Sequence, residues 1–171
     1  MISQMEPEKA KVILDKKTAH QKLQAYCAYQ ERSQQEVRDK LYSYGLHSAD
    51  VEDVICELIN NNFLNEARFV SAYVSGKFRI KQWGKLKIKH GLKLKRVGDN
   101  LIKKALLQIN PDEYEKTLRT ILVKKAAVLK EKDVYKRQQK LVYYANSKGY
   151  ESDLVFDCLK SSGLLQKEKK L

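Results

Sequence analysis

Residues that interrupt helices are scarce in this sequence, and long apolar runs are missing from it. Its 171 residues include only two prolines and seven glycines. Together with abundant Lys, Leu, Ala, Glu and Gln, this scarcity predicts helix along nearly the whole chain. No apolar run is long enough to cross a membrane, and the first ten residues, MISQMEPEKA, lack the apolar core of a signal peptide. We therefore expect an all-α protein without a membrane segment, located in the cytoplasm.

Cysteine is also rare. Cys27, Cys56 and Cys158 are odd in number and far apart, and no Cys-x-x-Cys pair occurs. Each of the three lies among apolar residues of a helical pattern. The sequence therefore predicts buried free thiols in place of disulfides or metal ligands.

Motifs of nucleotide-binding and hydrolytic enzymes are missing. The chain has no phosphate-binding Gly-x-x-x-x-Gly-Lys-Ser/Thr, no Gly-x-Gly-x-x-Gly and no nucleophile elbow. Asp50 and Asp53, beside His47, are accounted for as first-turn acids that favour the helix dipole. We therefore predict a protein that is not an enzyme, with no catalytic residue, metal or cofactor.

Ten tyrosines raise the possibility of base stacking. Most of those considered lie on or beside apolar stripes, which favours packing at the core or its edge. This set comprises Tyr26, Tyr29, Tyr42, Tyr44, Tyr73, Tyr143 and Tyr144.

Positive charge is concentrated in the middle of the chain. The net charge of +13 comes from 34 basic and 21 acidic residues, and residues 65–110 alone contain 12 of the basic and 2 of the acidic ones. A charge that served solubility alone would be interspersed in sign. The uneven distribution favours a surface that binds a polyanionic partner, although a solvated lysine face is the open alternative.

An internal repeat organises the apolar residues. Gly45 and Gly149 each follow one helical pattern and precede another, with apolar residues at offsets +1, +6, +9 and +10. In the middle of the chain Gly91 fails this register, because offset +9 would place Asn100 in the core. Arg96 fits it, so the predicted turns are at positions 45, 96 and 149. Gly91 then becomes a packing position inside a helix.

The repeat length leaves room for three helices in each unit. We predict an all-α fold of three tandem three-helix repeats, similar to helix-turn-helix units, that forms an elongated, curved array. A capping box at Ser33–Glu36 and N-caps at Ser48 and Ser152 are the predicted helix starts. The predicted segments are an N-terminal extension (1–17), repeat 1 (18–64), a strongly basic repeat 2 (65–110), repeat 3 (111–165) and a basic C-terminal tail (166–171).

The basic segment WGKLKIKHGLKLKR, residues 83–96, carries a lysine strip on one side of its predicted helix. Lys85, Lys89 and Lys93 follow one another at a spacing of four, which is unfavourable unless something anionic meets them. Neighbouring basic residues extend the strip. The predicted binding residues are Arg79, Lys81, Lys85, Lys89, Lys93, Arg96, Lys103 and Lys104.

Three stretches of the sequence resemble the RecX family of bacterial regulators of the RecA recombinase. They are RSQQEVRDKLYSYGL (32–46), FLNEARFVSAYV (63–74) and WGKLKIKHGLKLKRVGDNLIKKAL (83–106). The family pattern has glycine where this chain has Arg96. The resemblance implies a fold of tandem three-helix units, in agreement with the repeat reading, and it implies no catalytic residues.

The same resemblance implies a partner. We expect a monomer that binds the groove of the RecA filament on DNA and mostly inhibits RecA ATPase, strand exchange and co-protease activity, in recombination, DNA repair and the SOS response. The basic residues of repeat 2 would face RecA or its DNA. The alternative is a stand-alone helical DNA-binding protein that acts through this basic central repeat, with the helix pair around Arg96 as a helix-turn-helix.

Overall fold

The computed structural model describes residues 13–165 and contains nine helices and no strand within them. The helices are α1 Lys16–Tyr29, α2 Gln34–Ser43, α3 Ser48–Asn60, α4 Glu66–Arg79, α5 Lys85–Leu94, α6 Asp99–Leu106, α7 Pro111–Val128, α8 Val134–Lys148 and α9 Ser152–Ser162. In the described part of the chain no helix is both long and apolar enough to span a bilayer. The predicted tail at 166–171 and most of the predicted extension at 1–17 lie outside the described residues. The expected all-α fold of tandem three-helix repeats is confirmed, and its elongated, curved form stays a prediction.

Two compact units divide the chain, Met1–Phe69 and Val70–Leu171, so that the boundary falls within α4. In the first unit, α3 packs against α1 and α2. In the second unit, α5 packs on α6, and α7, α8 and α9 pack on one another. Each unit buries apolar side chains on the inner faces of its helices, which is the main driving force for helix packing in water.

The three repeat turns have the same backbone geometry. Gly45, Arg96 and Gly149 have φ angles of +80°, +56° and +91°. In each turn the next residue donates its backbone N–H to a carbonyl five residues earlier, as in the Schellman motif that ends helices. These bonds are Leu46 to Leu41 (3.4 Å), Val97 to Leu92 (3.2 Å) and Tyr150 to Ala145 (3.2 Å). The predicted register, with Arg96 as the second turn, is confirmed.

Matching positions of the repeats occupy the core. The residues eight before each turn, Val37, Ile88 and Leu141, are all fully buried, and so are those four before it. Ile88 and Leu92 lie on either side of Gly91 in the sequence, and both must belong to one helix to reach the core. Gly91 therefore lies inside α5 and does not end it.

Helix starts agree with the prediction in part. The Ser33–Glu36 capping box opens α2 as predicted. The N-cap assignments of Ser48 and Ser152 are wrong, because both are already the first residues of their helices. His47 and Glu151, with extended backbones, stand at the caps, and their carbonyls accept the first bond of α3 and of α9.

Burial corrects two further expectations. Cys27 is a buried free thiol as predicted, but Cys56 is exposed and Cys158 only partly buried. Among the tyrosines expected to pack, Tyr29 and Tyr143 are 87% and 77% exposed. The helical period in the sequence does not show whether a residue beside an apolar stripe is packed at the edge of the core or exposed to solvent.

Candidate functional site

The basic helix α5 begins on the turn of the third repeat. Gly84, its N-cap, donates its N–H to the carbonyl of Lys148 (2.8 Å), and Leu86 donates to the carbonyl of Gly149 (3.0 Å). A Cβ on Gly84 would overlap the backbone of Gly149, and a Cβ on Gly149 would overlap that of Lys87. Glycine at both positions therefore allows the two backbones to meet, and this contact satisfies N–H groups that a helix start leaves without a partner.

Tyr114 of α7 completes this anchor. Its hydroxyl accepts the backbone N–H of Lys85 (2.9 Å) and donates to Glu151 Oε2 (2.7 Å). Its ring packs against that of Tyr150, with the centroids 5.0 Å apart. Burial is the main cause that raises the pKa of Tyr114, so the hydroxyl keeps the proton that it donates. The first lysine of the strip is thus fixed in position.

Further along α5, Gly91 packs against α4. A Cβ at this position would overlap the hydroxyl of Tyr73. The prediction that Gly91 is a packing position inside the helix is confirmed, and the cost of glycine there is about 1 kcal/mol relative to alanine in a free helix.

The outer side of α5 and the following α6 enclose a groove of about 340 Å³, here called the lysine groove. It brings together the whole predicted strip, Lys85, Lys89 and Lys93, with Lys103 of α6. Its other lining residues are Asp99, Asn100, Ile102, Leu106 and Leu107. The groove thus combines four cationic side chains with an apolar portion that sequence reasoning did not anticipate.

Two of the four lysines already have partners. The ammonium of Lys85 lies 4.6 Å from the centre of the Tyr114 ring, a cation–π contact. Lys93 Nζ lies 3.1 Å from Asp99 Oδ1, but both side chains are at least half exposed, so this pair contributes at most about 1 kcal/mol. Within residues 13–165, no ion pair includes Lys89 or Lys103. These two ammonium groups are free to meet an anionic partner.

The remaining four predicted binding residues lie outside the lining of the lysine groove. Arg79 borders a smaller depression, where its Nε is 3.7 Å from Glu113 Oε1. Lys81, Arg96 and Lys104 are exposed. The structure therefore brings together half of the predicted residues in one groove.

Lys87 shows why the lysines of α5 are not equivalent. It lies between Lys85 and Lys89 in the sequence but does not line the lysine groove. Its ammonium donates to the carbonyl of Ser147 (3.0 Å) and lies 4.8 Å from the centre of the Trp83 ring. Its role is to hold α5 against the third repeat. No local signal in the sequence separates it from Lys85 or Lys89.

The motif FLNEARF has a structural role in the first unit. The Asn65 side chain accepts the N–H of Arg68 (2.9 Å) and so caps α4. The Arg68 guanidinium donates to Glu31 Oε1 (2.7 Å), to Asn62 Oδ1 (2.6 Å) and to the Asn62 carbonyl (3.1 Å). Asn62 has a φ angle of +59°, so the arginine fixes the turn that ends α3. This motif therefore holds helices of the first unit together.

Comparison with known proteins agrees with this architecture. Three family models match the chain in order, and they describe the first, second and third three-helix domains of RecX, at residues 19–58, 65–106 and 112–159. The chain belongs to the RecX family. RecX proteins are regulatory proteins, and one matched domain falls in each of the three repeats.

Individual relatives are moderately similar. The regulatory protein RecX of Clostridium perfringens strain 13 is 32% identical over 132 residues, which are 76% of this chain and 59% of that protein. The regulatory protein RecX of Bacillus mycoides strain KBAB4 is 25% identical, over 79% of this chain and 50% of that protein. The chain thus spans between half and three-fifths of the length of these relatives.

One solved structure supports the fold. A crystal structure of RecX from Lactobacillus salivarius has a TM-score of 0.79 over 87% of this chain and 97% of that chain, at 23% sequence identity. At this level of identity the match shows the shared fold alone.

Proposed function

We propose that the chain is a non-enzymatic modulator of RecA that binds along the groove of the RecA–DNA filament and inhibits RecA ATPase, strand exchange and co-protease activity. The observation that supports this most is the lysine groove of the second repeat. It presents two ammonium groups, those of Lys89 and Lys103, that have no ion-pair partner among the described residues, beside an apolar lining. Membership of a family of regulatory proteins is in accord with this role.

The mechanism we infer is electrostatic. Lys85, Lys89 and Lys93 repel one another along α5, and this repulsion is relieved when an anionic surface enters the groove. The anchors at Gly84 and Tyr114 fix the start of the helix in advance, so that less conformational freedom is lost on binding. The remaining predicted residues, Arg79, Lys81, Arg96 and Lys104, would extend the contact along the filament from outside the groove.

The second candidate is a stand-alone DNA-binding protein in which α5 and α6 act as a helix-turn-helix. The short turn around Arg96 between these two helices favours it. The start of α6 argues against it, because Asp99 and Asn100 are the first residues that would approach DNA, and Asp99 is an acid paired with Lys93. A carboxylate there repels phosphate, so we favour the RecA modulator.

A titration of RecA ATPase on single-stranded DNA separates the two candidates. The test variant replaces Lys85, Lys89 and Lys93 with glutamate. The control variant makes the same change of charge at three exposed lysines outside the groove, Lys22, Lys124 and Lys160. We expect the wild type and the control to inhibit RecA at a near-stoichiometric ratio, and the groove variant to lose inhibition.

A different result would support the second candidate. If the wild type leaves RecA ATPase unchanged but binds naked DNA tightly with a steep salt dependence, the modulator proposal is wrong. Circular dichroism of each variant shows whether its helices are intact, which distinguishes a lost contact from a lost fold.

A further inference from the structure

The third repeat contains a second groove, between the end of α7 and the outer face of α8, that the proposed function does not use. Its volume is about 630 Å³, within the range of small-ligand sites. It is here called the tyrosine groove. Its lining residues are Lys125, Leu129, Glu131, Lys136, Gln139, Lys140, Tyr143, Tyr144 and Ser147.

The groove displays an aromatic ring to solvent. Tyr143 is 77% exposed, although its place beside an apolar stripe favoured packing. Keeping so large a ring in water forgoes the stabilisation that burying it would contribute. One turn along α8, Ser147 lies on the same side of the groove, and Lys136 and Gln139 lie there in the other direction. The exposed ring thus stands in a row of polar side chains.

The charge of the groove is positive. Glu131 is its one acidic lining residue, and that carboxylate is already engaged, by Lys140 Nζ at 2.7 Å and by two backbone N–H groups. Lys125 and Lys148 hold their ammonium groups 5.1 and 5.9 Å from the centre of the Tyr144 ring. Among the described residues, Lys136 has no ion-pair partner.

The groove is also held rigidly. Arg137, next to Lys136, donates hydrogen bonds to the carbonyls of Ala126, Leu129 and Leu164. These bonds cap the last turn of α7 and fix α8 against it. The two walls of the groove are therefore set before any ligand arrives.

We propose that the tyrosine groove binds single-stranded nucleic acid, with a base stacked on Tyr143 and the backbone phosphates near Lys136 and Lys125. An exposed aromatic ring among cations is the arrangement by which proteins bind single strands without reading their sequence. An acidic peptide would use the lysines but would leave the tyrosine ring without a stacking partner. A duplex would keep its bases in the helical stack, out of reach of the ring. The site is distinct from the lysine groove and requires no RecA.

The test is fluorescence anisotropy of a labelled fifteen-nucleotide oligo-dT strand, titrated with the protein alone. We expect Tyr143→Ala to weaken binding about tenfold, since stacking on one base contributes about 1–3 kcal/mol, where 1.4 kcal/mol is tenfold. Tyr143→Phe keeps the ring and should bind within about twofold of the wild type. Tyr29→Ala, at a tyrosine that is 87% exposed in the first repeat, is the matched control and should change nothing.

A second variant tests the phosphate contact. Lys136→Gln should weaken binding and reduce the slope of log affinity against log salt concentration by about 0.7, the value for one phosphate contact on a single strand. The proposal is overturned if Tyr143→Ala binds oligo-dT as well as the wild type does. It is also overturned if labelled polyglutamate binds more tightly than oligo-dT and depends on Lys136 alone, because the groove would then be a site for acidic peptides. These titrations contain no RecA, so their outcome is independent of the ATPase test.

Discussion

Replacement of Arg96 by glycine should stabilise the second unit. Arg96 has a φ angle of +56° at the turn position that glycine occupies in the other two repeats. The left-handed conformation costs an L-residue about 1–2 kcal/mol. Glycine avoids that cost but loses about 0.5–1 kcal/mol more on folding, because its unfolded chain is freer. The arginine side chain is exposed to solvent, so the expected net gain is the difference between these two costs, about 0.5–1 kcal/mol.

Urea unfolding followed by tryptophan fluorescence measures this gain. Trp83 is the sole tryptophan, and it lies in the second unit against the ammonium groups of Lys77 and Lys87. Its emission therefore reports on that unit. Arg96→Ala is the control, because it removes the guanidinium but keeps a Cβ in the left-handed turn, and it should give no comparable gain. If Arg96→Gly is no more stable than Arg96→Ala, backbone strain at this turn is not the relevant energy.

Three further predictions use the same unfolding assay or a simple titration. Gly84→Ala should destabilise the second unit by about 1–3 kcal/mol, because its Cβ would overlap the Gly149 backbone, whereas Gly76→Ala, inside α4 with open space around it, should stabilise by about 1 kcal/mol. Arg137→Met should cost about 2–4 kcal/mol, since three backbone carbonyls lose a charged donor. The hydrogen bond from Lys140 is the main cause that lowers the pKa of Glu131 to about 2. The stabilisation from this carboxylate is therefore present above pH 4.5 and lost as the pH falls towards 2, and in Lys140→Gln an NMR titration should find the pKa closer to 4.5.

The fold could be predicted because its signal is local and repeated. The apolar residues of each repeat recur at fixed offsets from a turn, and a helix buries every third or fourth residue whatever its partner is. This period was sufficient to select Arg96 over Gly91, although glycine is the commoner residue at a helix end. The predicted N-caps, Ser48 and Ser152, lie one residue after the observed ones. The extended backbone of the preceding residue decides which position is the cap, and the sequence does not show that conformation.

The site could be predicted only in part, because tertiary contacts decide which cations stay free. Lys87 and Lys89 are two residues apart, yet the partner that engages Lys87 is a carbonyl 60 residues further along the chain. The apolar lining at Leu107 and the exposure of Tyr143 likewise depend on how neighbouring helices meet. Charge in the sequence located the helix pair that forms the lysine groove, and only packing distinguished structural lysines from available ones.

The turn glycines show where the family pattern can vary. At Gly149 two constraints act together, because φ is +91° and a Cβ would overlap the backbone of Lys87, so any side chain would both strain the turn and separate α5 from its anchor. At Arg96 the positive φ angle of +56° is the constraint, and the side chain lies exposed to solvent. A replacement there costs only the backbone strain of about 1–2 kcal/mol, and it adds a cation to the helix pair that forms the lysine groove. We therefore infer that this repeat could exchange its turn glycine for surface charge, whereas the third repeat could not.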